Sequence, residues 1–155
     1  MSQSRPIGTA LAALVLLTAY ASPAFAAERR FVIAAVEPKG GVTVDLEPFP
    51  ATTLPEGGGY VLKVPDDNGR WEVSAYVWMP SQIVVNQGDQ VILEFVGING
   101  AAHPTTIEGY EQTVTVHRGE VATVTLTADR PGVFAISCAT HQPSMVGELV
   151  VLAHP

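Results

Sequence analysis

The chain has 155 residues, 8 basic and 15 acidic side chains, a formal net charge of -7 and a single cysteine. An acidic balance of this size argues against nucleic acid and anionic lipid as partners and favours basic ones through complementary steering. One cysteine cannot staple a fold, so stability has to come from a packed core and from any bound group.

The chain opens on an apolar stretch over residues 7–20, with Arg5 before it and Ala24-Phe25-Ala26 behind it. The small-x-small pattern predicts a signal peptide over residues 1–26, cut after Ala26, and hence a periplasmic or secreted protein. The stretch is shorter than the ~20 residues a spanning helix needs, so no membrane anchor is expected after cleavage. No cysteine follows it at once to carry a lipid. The remainder is long enough for one domain with a single core. It divides into N-terminal strands and Pro/Gly-rich loops over residues 27–70 and a core over residues 71–155.

Short β-branched and aromatic runs then alternate with Gly, Pro and Asp clusters, and no amphipathic helix is legible. Strands are predicted over residues 31–36, 42–46, 60–64, 71–79, 82–85, 89–96, 112–116, 120–128, 132–137 and 147–152. This is the pattern of an all-β sandwich. Residues 120–127 alternate strictly, which sends Ala122, Val124 and Leu126 to the core and the threonines outward. Glu47-Pro48-Phe49-Pro50 and Gly57-Gly58-Gly59 mark long loops within residues 37–70.

The chemistry concentrates near the C-terminus, where Cys138, His141 and Met145 fall on one predicted loop between two strands. A thiolate, an imidazole and a thioether suit copper better than zinc, magnesium or calcium. A lone Cys, His or Met is usually core filler or a satisfied surface group. All three in one turn make coincidence a poor account. His103, expected on a loop just past the Asn99-Gly100 turn, supplies the missing second imidazole. Two histidines, a cysteine and a weak axial methionine make a blue-copper centre. Pro143 restricts the backbone between His141 and Met145 and should reduce the freedom lost when metal binds. The apolar neighbours of His103 and His141 would give a transient docking patch if both loops share one end of the sandwich. His117 precedes Arg118-Gly119, an exposed hairpin setting, and His154 sits at the tail. Asp66-Asp67-Asn68-Gly69 lacks the spaced carboxylates of a calcium loop and reads as a turn.

With these residues in view, the segment from Trp71 to Leu152 resembles the cupredoxins, Greek-key β-sandwich copper proteins. The matching marks are Pro80 with Ile83 and Val85, Gly88-Asp89-x-Val91, His103, Gly119-Glu120, Pro131-Gly132-x-Phe134, Cys138-x-x-His141 and Met145-x-Gly147-x-Leu149-x-Val151. The resemblance implies that His103, Cys138 and His141 are the strong ligands and Met145 the axial one. The same marks are similar to the copper domain of cytochrome oxidase subunit II, but its binuclear centre needs two cysteines and only Cys138 exists here. Residues 127–134 also resemble nitrosocyanin, a red copper protein with a glutamate ligand and an open copper position. His103 and Met145 at the matching places favour the blue type. The three residues between His141 and Met145 resemble the azurin spacing. Many cupredoxins brace the cysteine loop with a polar residue after the first histidine. Pro104 cannot donate there, so Asn99 or Thr105 would take that part.

The resulting expectation is a periplasmic electron carrier and not an enzyme. It would hold one copper per chain and exchange single electrons with redox protein partners, a cytochrome or a copper enzyme, basic ones among them. The alternatives are a copper chaperone or storage protein and a red-copper protein with an open catalytic position. A Cys-His hydrolase would want a helix after Cys138, which the sequence does not suggest. A metal-free structural or adhesive sandwich leaves the Cys138 cluster without a purpose.

Overall fold

The computed structural model describes residues 26–153. Residues 1–25, where the sequence predicts a signal peptide, and residues 154–155, with His154, lie outside the described residues. In chain order the strands are β1 (Glu28–Val36), β2 (Lys39–Thr43), β3 (Tyr60–Lys63), β4 (Arg70–Ala75), β5 (Val77–Met79) and β6 (Gln82–Asn86). They continue as β7 (Gln90–Gly97), β8 (Ala102–Ile107), β9 (Gln112–His117), β10 (Val121–Thr127), β11 (Gly132–Cys138) and β12 (Val146–Leu152). No helix occurs among the described residues.

Two sheets carry the sandwich, one in the order β10-β7-β1-β5 and the other in the order β6-β12-β11-β8-β9. Strand β1 runs parallel to β7 and β6 parallel to β12. Parallel neighbours require crossing connections, which is how a Greek-key sandwich differs from a simple meander. The two inner faces meet through Ile33, Leu93 and Phe95 on one side and Ile107, Ile136 and Leu149 on the other, all essentially without exposed surface. Each such side chain stabilises the fold by about 1.5–3 kcal/mol through burial. The alternation read in β10 holds: Val124 and Leu126 are buried, Ala122 is half-buried and the threonines are exposed.

A third sheet, β2-β4-β3, stands apart with a small core of its own. The indole of Trp71 donates to the Glu47 carbonyl at 2.9 Å, and Phe49 meets its ring edge-on with centroids 5.7 Å apart. At the other end of this sheet the Gly57-Gly58-Gly59 turn approaches the Cys138 loop. A Cβ on Gly59 would lie 2.6 Å from the Ser144 backbone nitrogen, and its φ of +76° is one that L side chains rarely adopt. The Pro/Gly-rich region therefore lies against the chemistry-bearing loop.

Two features depart from the predicted strands. The run over residues 71–79 is two strands in different sheets: β4 pairs with β2 and β3, β5 pairs with β1, and the chain changes sheets at Tyr76. Periodicity cannot reveal such a switch, because both halves are β-branched and aromatic. Residues 102–107, expected as a loop, form β8 between β9 and β11. Pro104 disguises this strand, since proline lacks a ladder donor. The Pro104 carbonyl accepts from the Ala139 backbone N–H at 2.8 Å, just beyond the end of β11. Its nitrogen faces the same side, where no ladder bond to β9 is lost.

Candidate metal centre

The strand β8 places His103 on the inner face, where the side chain is fully buried, with Thr105 and Ile107 buried two and four positions on. Across the ladder, Cys138 ends β11 opposite Thr105 and is also fully buried. The chain then leaves the sheet, brings half-buried His141 back over the cysteine and returns into β12 through buried Met145. Backbone bonds close this loop: Cys138 N–H donates to the Met145 carbonyl at 3.1 Å, and Met145 N–H to the His141 carbonyl at 2.9 Å. The Gln142 amide donates to the Cys138 carbonyl at 3.1 Å and the Ser144 hydroxyl to the His141 carbonyl at 3.3 Å.

Three donor atoms converge. Cys138 Sγ lies 3.5 Å from His141 Nδ1 and 3.9 Å from His103 Nδ1, and the two ring nitrogens are 3.2 Å apart. Among the described residues, His103, Cys138 and His141 are the group whose ligand atoms all fall within 4.8 Å of one another. The far side of His103 selects its tautomer. Nε2 sits 2.7 Å from the Asn99 carbonyl, which can only accept, so in the neutral ring Nε2 carries the proton and Nδ1 turns its lone pair towards the sulfur. Burial, and after it the neighbouring His103, hold the His141 imidazole below its usual basicity. Two imidazole nitrogens and a cysteine sulfur aimed at one point fit a copper ion by donor chemistry.

Asn99 and Thr105, expected to brace the cysteine loop, both hold His103 instead. Asn99 uses its backbone carbonyl on His103, while its side-chain oxygen accepts from the Glu37 N–H at 3.0 Å. The Thr105 hydroxyl donates to the His103 carbonyl at 2.9 Å. Met145 reaches the same loop through its backbone and packs in the main core. His117 is exposed at the end of β9, and Asp66 closes its turn by accepting from Asn68 and Arg70 backbone N–H groups at 2.9 Å.

Tyr76 is the neighbour that sequence reasoning missed. Sitting where the chain changes sheets, it stacks on His141 with ring centroids 3.9 Å apart and planes at 28°, and it also approaches His103 at 5.5 Å. Burial and then the Glu37 carboxylate push its hydroxyl above the ordinary range. Glu37 in turn is held below the usual carboxylate range, chiefly by Lys39 at 3.0 Å. A cleft of about 340 Å³ opens beside His141, walled by Glu37, Tyr60, Ser74, Tyr76, Thr140 and Gln142. A larger cavity of about 550 Å³ lies under the loop from Phe49 to Tyr60 and touches none of the three donors.

Replacing Tyr76 should separate stacking from mere cover. Tyr76→Phe keeps the ring, whereas Tyr76→Leu keeps apolar volume and loses the aromatic pair, so the leucine variant is expected to be less stable by about 1 kcal/mol. Denaturant unfolding of the metal-free variants measures the difference. Equal midpoints would show that the stack on His141 contributes nothing.

Residues 60–151 match the family model described as the cupredoxin-like domain, which is more than half of the chain. The chain belongs to the cupredoxin-like domain family. None of the curated proteins compared matches this cupredoxin in sequence. Among solved structures, the multicopper oxidase mgLAC superposes over 83% of this chain and 40% of its own, with 18% identity and a TM-score of 0.56. A heme-copper terminal oxidase aligns at 21% identity over 46% of this chain and 51% of its own, with a TM-score of 0.41. Auracyanin A, a blue copper protein from Chloroflexus aurantiacus, aligns at 17% identity over 49% of this chain and 89% of its own, at 0.42. This cupredoxin thus spans about half or less of the length of the two oxidase chains. At these identities the likeness concerns the fold. The family match takes in β3 onwards, yet β1, which lies outside it, is an interior strand between β7 and β5.

Proposed function

We propose that this cupredoxin is a single-electron carrier holding one copper ion through His103 Nδ1, Cys138 Sγ and His141 Nδ1, with Met145 as a weak axial ligand. The observation that carries the reading is the convergence of three donor atoms from β8, the end of β11 and the following loop, already oriented by bonds to Asn99, Pro104 and Met145. Bound there, copper supplies a one-electron couple and a thiolate-to-copper charge-transfer band. The chain's own part is to keep the donors in place in both oxidation states and to shield them. Cys138 and His103 are fully buried, Tyr76 covers the face of His141, and the loop is tied at both ends by strands. Little reorganisation is then needed when an electron moves.

An export signal over residues 1–26 and a periplasmic or secreted location belong to the same proposal. No helix among the described residues is long and apolar enough to cross a membrane. The redox partner is a protein, a cytochrome or copper enzyme, and the net charge of -7 favours a basic one.

The rival readings are an open catalytic copper position and copper delivery. The cleft beside His141 gives the first a specific motive, because it brings space to the edge of one donor. Two titrations of the oxidised copper form separate them. Azide followed by visible and spin-resonance spectra is expected to leave the centre unchanged, and a copper-free acceptor is expected to draw off no metal within the time of electron exchange. Exchange with a basic cytochrome should slow as salt screens the attraction. Stoichiometric azide binding would establish an open position, and rapid metal loss would establish a chaperone.

A further inference from the structure

The end of the sandwich around Asp89 carries an inference that does not depend on copper. Asp89 is one of the few buried charged residues, with 3% of its surface exposed, at the tight turn between β6 and β7. One carboxylate oxygen accepts from the Asn86 backbone N–H at 3.0 Å and lies 3.4 Å from Arg29 Nε, on a side chain half in solvent. The other accepts from the backbone nitrogen of Ala27 at 3.0 Å. Ala27 is clamped on its far side too, since its carbonyl accepts from Gln90 N–H at 2.9 Å. Ala26 is exposed, Ala27 is half-buried, and the boundary between them follows the Ala24-Phe25-Ala26 pattern.

We propose that Asp89 is the receptor for the α-ammonium group created when the chain is cut between Ala26 and Ala27, so that removal of the leader completes the folded state. A signal peptidase would add water across the Ala26–Ala27 amide. The C–N bond breaks, Ala26 leaves as a carboxylate, and the Ala27 nitrogen takes up protons to become an ammonium. The Asp89 oxygen that faced a neutral N–H then faces a cation with three donors, at the same nitrogen position. A buried carboxylate whose one other cationic partner among the described residues is half in water is the kind of group that such a partner stabilises most. The backbone bond from Asn86, ahead of those from Ala27 and Arg29, already holds the Asp89 carboxyl below its ordinary range, so it is charged and ready to receive the ammonium. The one charged group facing it among the described residues is Arg29 from β1; on the neighbouring loop after β10, Asp129 pairs with Arg130 at 3.0 Å instead.

The test compares purified protein starting at Ala27 with the same protein retaining Ala26, which moves the ammonium one residue outward and restores an amide at Ala27. The unfolding equilibrium constant of the Ala27 form is expected to be about tenfold smaller, the worth of one charge-assisted hydrogen bond over a neutral one. The difference should vanish in an Asp89→Asn background. Should that variant fail to fold, reductive methylation of the α-amine decides instead. It is expected to be about tenfold slower in the native Ala27 form than in the Ala26 form, as a raised α-amino pKa requires. Equal stabilities with equal methylation rates would overturn the proposal, as would terminal sequencing of the exported protein that finds a start other than Ala27.

Discussion

Cys138→Ala is expected to abolish the visible charge-transfer band completely while the protein stays folded. Cys138 supplies the only sulfur among the three converging donors, 3.5 Å and 3.9 Å from the two ring nitrogens, and no other cysteine exists to replace it. Its side chain is fully buried in the main core, and trimming it to alanine costs about 1 kcal/mol, well within what a domain of this size tolerates. Met145→Leu should behave differently. In the proposed ligand set the Met145 thioether would tune the metal more than hold it, so colour should persist and the reduction potential should rise. Absorption and voltammetry of the copper-loaded variants check both. A coloured Cys138→Ala variant, or an unchanged potential in Met145→Leu, would remove the residue concerned from the proposed ligand set.

Gly100→Ala is expected to damage the site and the fold together. Gly100 has a φ of +75°, and a Cβ built there would lie 2.8 Å from His103 Cε1, 2.9 Å from its Nε2 and 3.1 Å from Tyr76 Cε1. The backbone strain alone costs about 1–2 kcal/mol, and crowding the imidazole adds about as much again. More important is where the pressure falls. It pushes against the Nε2–H that donates to Asn99, the bond that turns Nδ1 towards Cys138. Losing such an orienting partner typically weakens metal binding by about 10–100-fold. Urea unfolding of the metal-free variant and competitive copper titration measure the two effects. Wild-type values in both would show that the turn does not position His103.

Much of this is legible in the sequence because the chemistry is local. Cys138, His141 and Met145 lie in one short segment, and a soft donor set of that density has few other uses. The alternating residues of β10 point to a one-sided sheet without help from any other part of the chain. What the sequence hides is non-local. Pro104 masks β8, because its tolerance depends on β11 ending beside it. Tyr76 reads as one more aromatic in a strand, yet it marks the change of sheets and stacks on His141. The approach of Gly59 to Ser144 joins residues far apart in sequence, and a run of three glycines does not say what it will lie against. The Asp89 turn shows the same limit: its motif is recognisable, whereas its grip on Ala27 appears only when β1 lies parallel to β7.

The central claim is that His103, Cys138, His141 and Met145 form one blue-copper centre. Metal analysis and visible absorption of the mature protein, loaded with copper and freed of excess, test it most directly. One copper per chain with an intense thiolate charge-transfer band in the oxidised form is the expected result. Two coppers per chain, none, or a single copper without that band would contradict it.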